Sequence, residues 1–147
     1  MRALFACVLA ASAALAPLPA TAEQFLRAGG VDIHYNAFHA DAIPADVART
    51  HGIARSRNRG VVNVTVRTTS ADGLGRAAQA RVTGTVANLA GQVSPLAFRE
   101  VRERDALYYL AEFAIAGEDR YRFELEVLPT GAARAESIRF EQPLVGR

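Results

Sequence analysis

The sequence predicts an all-β protein, an antiparallel immunoglobulin-like β-sandwich of about seven strands with one short connector helix. Three observations predict it. Short segments in which apolar and polar residues alternate recur at spacings of about ten to twenty residues. Those segments are rich in β-branched and aromatic side chains, which suit a half-buried pleated surface. Helix punctuation is confined to one stretch, Pro44–Gly52, about two turns long. The Cys…Trp…Cys core of immunoglobulin domains is absent, so the likeness is architectural. A small barrel is the competing way to close the same strands.

The elements follow in order. Gly29-Gly30 opens a first strand, Val31–Phe38, with Val31, Ile33, Tyr35 and Ala37 on one face and Asp32, His34, Asn36 and Phe38 on the other. Pro44 suits a first helical position, Ala45–His51 continues the helix and Gly52 stops it. Ile53–Gly60 is a polar loop. Val61–Thr69 is a strand with Val62, Val64 and Val66 inward, and Ser70–Gly75 is a turn cluster. Ala78–Leu89 alternates again, with Val82 and Val86 inward. Leu96–Arg102 is a strand whose pattern slips a residue at Arg99-Glu100-Val101, which predicts a bulge.

The organising stretch is Ala106–Pro129. It reads as two long antiparallel strands joined at Ala116–Asp119, a hairpin forming the floor of the core. Leu107, Tyr109, Ala111, Phe113 and Ile115 share one face, and Tyr121, Phe123, Leu125 and Val127 share another. The chain closes with Ala135–Gln142, where Ile138 and Phe140 face inward.

Ahead of the strands lie Met1-Arg2, an apolar run from Ala3 to Ala16, and the small-residue end Ala20-Thr21-Ala22. That pattern predicts a secretory signal peptide over residues 1–22, cleaved after Ala22, and one domain over residues 23–147. The apolar run is too short for a permanent membrane span, and no later run is longer. Cys7 sits too near the start of the run to be a lipoprotein cysteine.

Composition excludes several chemistries. The one cysteine leaves with the leader, so thiol nucleophiles, thiolate metal sites and disulfides are excluded. All 17 basic residues are Arg, which rules out a lysine Schiff base or lysine general base. Without Arg2 the domain carries 16 Arg against 15 acidic residues, and this near-neutrality makes no electrostatic case for nucleic acid.

The leading candidate site is the loop Arg55-Ser56-Arg57-Asn58-Arg59. In an extended chain its three guanidiniums project the same way, a geometry suited to phosphate, sulfate or carboxylate. From Pro44 to Gly60 one Asp meets four Arg. The plainer reading is a solvated loop whose arginines pair with Glu100, Glu103 or Asp105. Tyr108 and Leu110 make the outer face of their strand unusually apolar. Either the Ile43–Gly52 connector covers that face, the preferred reading, or Tyr108 belongs to a partner surface.

His34, His39 and His51 are weak metal candidates, because His34 and His39, five residues apart on a strand, point to opposite faces. No metal or other cofactor is expected. Asp32, His34, Ser56 and Glu112 supply the residue types of a hydrolase triad, but no Gly-x-Ser-x-Gly elbow surrounds Ser56. Asn63-Val64-Thr65 matches a glycosylation acceptor, yet lies inside a strand.

Four stretches carry a resemblance: His34–Phe38; Gly52–Gly60; Asn88–Gln92 with Leu96–Val101; and Tyr108–Phe113. In that order, behind a signal peptide, they resemble the DUF4426 family of exported bacterial proteins over nearly the whole mature chain. The resemblance implies an exported single domain and brings no activity, substrate or cofactor.

The expectation is therefore a periplasmic, non-catalytic binding module whose Arg-rich loop meets an envelope protein or a small anionic ligand. Two alternatives stand beside it. One is an envelope-assembly or chaperone-like factor acting by strand addition, with the last strand, ending at Pro143, as its edge. The other is a small metal-dependent or hydrolytic enzyme using His34, His39 or Ser56.

Overall fold

The computed structural model describes residues 24–117 and 119–144, so the predicted leader lies outside the described residues. Nine strands form two antiparallel sheets. They are β1 (Gln24–Ala28), β2 (Val31–His39), β3 (Arg59–Thr68), β4 (Ala80–Ala87), β5 (Val93–Leu96), β6 (Arg99–Glu103), β7 (Ala106–Ala114), β8 (Asp119–Pro129) and β9 (Glu136–Leu144). One sheet has the order β1-β2-β3-β7-β6 and the other β5-β4-β8-β9. The fold is the predicted sandwich and not a barrel. The single α-helix among the described residues, α1 (Ala45–Thr50), follows a 3-10 turn at Ala40–Ala42, with Pro44 one position earlier than expected, at the N-cap.

The structure corrects the reading of Ala106–Pro129. Its two strands are not a hairpin. β7 pairs with β3 and β6, whereas β8 pairs with β4 and β9 in the opposite sheet. The alternation was real because each strand buries one face. The buried faces meet across the sandwich, where Phe113 packs edge-on against Phe123 at 5.3 Å and Phe123 stacks on Phe140 at 4.7 Å.

Two strands escaped the sequence reading. Gly29 and Gly30, with φ of 58° and 78°, form a tight two-residue turn that pairs β1 with β2. Glycine reaches such angles without steric cost, and Gly-Gly between two runs is a hairpin signal. The other is β5. The slip at Arg99 is not a bulge: Val93–Leu96 pairs with β4, and after Ala97-Phe98 the chain continues as β6 beside β7. The pattern slips because the chain changes sheets.

Tyr109 ties the sheets together. Its hydroxyl accepts a hydrogen bond from the Ala80 amide at 2.8 Å and donates to Glu100 Oε2 at 3.3 Å. Burial pushes its phenol pKa up, so the group stays protonated.

A second, smaller core lies on the outer face of the five-stranded sheet. Ala40, Ile43, Ala48 and Ile53, from the turn, helix and following loop, close over Val61, Phe38 and Leu110. The preferred reading, that the connector covers the face of Tyr108 and Leu110, holds for Leu110 and not for Tyr108, which is outside this cluster. Val61 is fully buried although it points away from the main core.

Candidate functional site

The outer face of the five-stranded sheet divides in two. Cross-strand register places Phe38 opposite Val61, and Val61 opposite Glu112, at the end that the helix covers. Further along the same strands, Asn36 faces Asn63 and His34 faces Thr65. Among the described residues no helix lies above this second half. It forms a cavity of about 330 Å³ with His34, Asn36, Asn63, Thr65, Arg67 and Tyr108 in its lining.

The side wall is the turn between β3 and β4. Its backbone doubles back through Arg76 O to the Thr68 amide and Val66 O to the Ala78 amide, each 2.8 Å. Gly75 makes the turn possible, since a Cβ there would lie 1.6 Å from the Thr68 carbonyl oxygen. Asp72 fixes the tip: it accepts from Ser70 Oγ and, at 2.9 Å, from the Leu74 amide. These bonds hold its carboxyl below the usual carboxylate range.

The polar groups differ in how well they are satisfied. Asn63 Oδ1 is buried and has no hydrogen-bond partner among the described residues. A buried acceptor of that kind costs stability unless something else fills it. His34 stacks against Phe25, centroids 5.5 Å apart. Beyond His34, buried Asp32 receives a bidentate grip from Arg27, at 2.6 and 2.9 Å, and a 3.3 Å bond from Thr69 Oγ1. The Arg27 hydrogen bond is the main reason its carboxyl pKa lies below the ordinary value.

The Arg-rich loop sits at the covered end and faces inward contacts of its own. Arg55 Nη2 donates to Asp41 O at 2.8 Å, Arg57 Nε lies 3.7 Å from Asp41 Oδ2, and Arg59 Nη1 lies 3.6 Å from Glu112 Oε1. Their partners are thus Asp41 and Glu112 rather than Glu100, Glu103 or Asp105. Ser56 Oγ accepts from the Asn58 amide at 3.1 Å, and Asn58 O accepts from the Ile115 amide at 2.9 Å. The loop clasps the 3-10 turn to β7. Arg57 and Arg59 keep their guanidiniums largely exposed.

Tyr108, also singled out from sequence, lies away from this loop in the open cavity. The three histidines stay apart: His34 is in the cavity, His39 Nδ1 is 3.1 Å from Arg57 O, and His51 Nε2 is 2.5 Å from Glu103 Oε1. Among the described residues no three His, Cys, Asp or Glu side chains gather where they could hold a metal ion. Ser56 lies in the clasped loop, and the Asp32 carboxylate is occupied by Arg27. The residue types of a triad do not assemble into one.

Sequence reasoning missed Asn36, Asn63 and Thr65 as site residues. Their signal was present, as three polar outward positions on neighbouring strands beside Tyr108.

Comparison with known proteins agrees with the fold. A DUF4426 family protein from Pseudomonas aeruginosa PAO1 is 34% identical, with a TM-score of 0.73 over 85% of this chain and 96% of that one. Two structures of FetP from uropathogenic Escherichia coli strain F11 share the fold at 11% and 12% identity, with TM-scores of 0.62 and 0.63. They cover 86% and 85% of this chain and 97% and 95% of FetP. One is a copper-bound variant, and the other was expressed recombinantly in the periplasm. No curated protein matches the sequence. Residues 25–145 match the family described as a domain of unknown function, DUF4426, and the chain belongs to that family.

Proposed function

We propose that this protein is an exported, non-catalytic binding module of the bacterial envelope, and that it takes a small polar ligand in the open half of the outer sheet face. The observation that carries this reading is the Asn63 amide. It lines a cavity of about 330 Å³, and its buried Oδ1 lacks a hydrogen-bond partner among the described residues. A cavity of this size matches small-molecule sites. Export rests on the leader pattern of residues 1–22, after which the family match begins at residue 25. The Arg55–Arg59 loop then serves mainly to hold the cover, and its exposed arginines form the rim of the same face.

FetP binds copper in one of its structures, but the donors among the described residues do not fit that metal, because no trio of ligating side chains converges. Strand addition has weaker support. Three of the four sheet edges carry devices that discourage further pairing: β9 contains Pro143, β5 contains Pro95, and β6 reads Arg-Glu-Val-Arg-Glu.

The test is a thermal-shift panel of sugars, amino acids and nucleotides against the wild type and Asn63→Leu. Stabilisation of the wild type alone supports the cavity. Equal shifts in both proteins, or none in either, reject it.

A further inference from the structure

A second cleft, of about 580 Å³, adjoins the polar cavity. The two share Arg67, Ala77, Ala106 and Leu107 as walls, so a ligand in one is next to the other. Their characters differ. The first offers amide, hydroxyl and imidazole groups. In the second, Arg67, Arg76, Arg102 and Arg104 meet a single acidic lining residue, Asp105.

The arginines there are unevenly neutralised. Arg102 is held by Glu100 at 2.8 Å, and Arg67 donates to Leu74 O at 3.3 Å. Arg76 and Arg104 have no acidic partner among the described residues. Elsewhere, several surface arginines are tied to carboxylates: Arg27 to Asp32, Arg59 to Glu112, Arg122 to Glu141 and Arg139 to Glu124. In a nearly neutral domain, a cleft lined by four arginines and one acidic residue is locally positive.

Arg104 adds an independent observation. It occupies the tip of the β6–β7 turn with φ of 53°, and the other positive-φ positions among the described residues are glycines. A side chain is strained in that conformation, where Gly or Asn is favoured. The chain holds an arginine there instead, and Arg104 is among the residues lining the cleft. The two-residue β6–β7 turn itself sets the positive φ, so what asks for a reason is an arginine there in place of Gly or Asn.

Resting on the cavity reading above, we infer that the ligand is an anionic sugar. Its ring lies among His34, Asn36, Asn63, Thr65 and Tyr108, and its phosphate or carboxylate lies between Arg76 and Arg104. Sugar hydroxyls both donate and accept, as do amide, hydroxyl and imidazole side chains taken together. The planar guanidinium fork matches the paired oxygens of phosphate and carboxylate.

Isothermal titration of the purified protein tests this with glucose 1-phosphate, glucuronate, glucose and inorganic phosphate. At least one anionic sugar should bind tenfold or more tightly than glucose, and its affinity should fall as salt rises. The double variant Arg76→Gln, Arg104→Asn should lose that advantage. Asn tolerates the left-handed backbone, so its melting temperature should match or exceed that of the wild type. Glucose binding as well as the anionic sugars overturns the inference while leaving the cavity reading intact. Phosphate binding as well as glucose 1-phosphate, unaffected by Asn63→Leu, also overturns it, because the cleft is then a plain anion patch. No binding by either anionic sugar overturns it too, and the thermal-shift panel separately decides whether the cavity binds anything else.

Discussion

The covered and open halves of the outer sheet face are built on the same three strands, β2, β3 and β7. At one end Phe38, Val61 and Leu110 lie under the connector. Two residues along β3, Asn63 replaces Val61, and the face becomes a polar cavity. The backbone does not change between them. What changes is side-chain chemistry at alternate positions, and this decides whether the surface recruits its own chain as cover or stays available. The lesson is that an outward strand face can be both core and site, switching within two residues.

The sharpest way to break this contrast is to move the chemistry of one half into the other. Val61→Asn places an amide beneath the helix, among Ala40, Ile43, Ala48 and Ile53, with the Glu112 carboxylate across the strand as its polar neighbour. Val61 is fully buried, so both apolar burial and hydrogen-bond satisfaction are lost. Urea denaturation should show a loss of about 3 kcal/mol. A loss below about 1 kcal/mol would mean that the cover lifts easily and is not a true second core.

Ile53→Ala probes the cover from above. Ile53 is buried in the small cluster with Ala40, Ile43 and Ala48. Such a peripheral cluster relaxes more readily than a sandwich interior, so the cost should be near the low end for this substitution, about 2 kcal/mol. The cavity should be unaffected, so the thermal-shift response should survive.

Asp32 marks the far limit of the open half. Its folded-state pKa is lowered, chiefly by the Arg27 hydrogen bonds. The stabilisation is therefore present above the unfolded pKa of about 4 and is lost as pH falls through the lower folded value. Asp32→Asn should lower the urea midpoint at pH 7, and the gap from wild type should close in strong acid. A gap that persists unchanged at low pH would assign the loss to packing rather than to charge.

Legibility follows from what alternation encodes. Period-2 patterning located the inward faces of β2, β3, β7, β8 and β9, because burying one face imposes it. It carries no information about which strand pairs with which. Hence β7 and β8, adjacent in sequence with matching apolar faces, read as a hairpin although they face each other across the core. Alternation also conceals a change of sheet, which is why the end of β5 at Leu96 and most of β6 read as one bulged strand, Leu96–Arg102, while the rest of β5 was missed. The connector's role was legible from Leu110, whose outward apolar side chain needed a cover, although Tyr108 on the same face stays in the open half. The cavity was harder, since polar outward residues are ordinary on any solvated sheet. Only the fold of the β3–β4 turn over Asn63 and Thr65 gives them a wall. The arginine loop drew attention by density, but Asp41 and Glu112 lie far from it in sequence and meet it only in the fold.

The smallest expected effect on stability is also the one that best separates the two halves. Asn63→Val is the mirror of Val61→Asn. In a face kept only for folding, valine at position 63 should be as good as the valine at 61. Because Asn63 Oδ1 is buried without a partner among the described residues, removing it relieves a desolvation penalty rather than breaking a bond. Stability should be unchanged or rise by up to about 1 kcal/mol, while ligand-induced stabilisation disappears. A variant that is clearly less stable would show that the amide serves the fold. One that is equally stable but still stabilised by ligand would move the binding site away from Asn63. Gain in the fold with loss in binding is the outcome expected of a residue kept for what it holds.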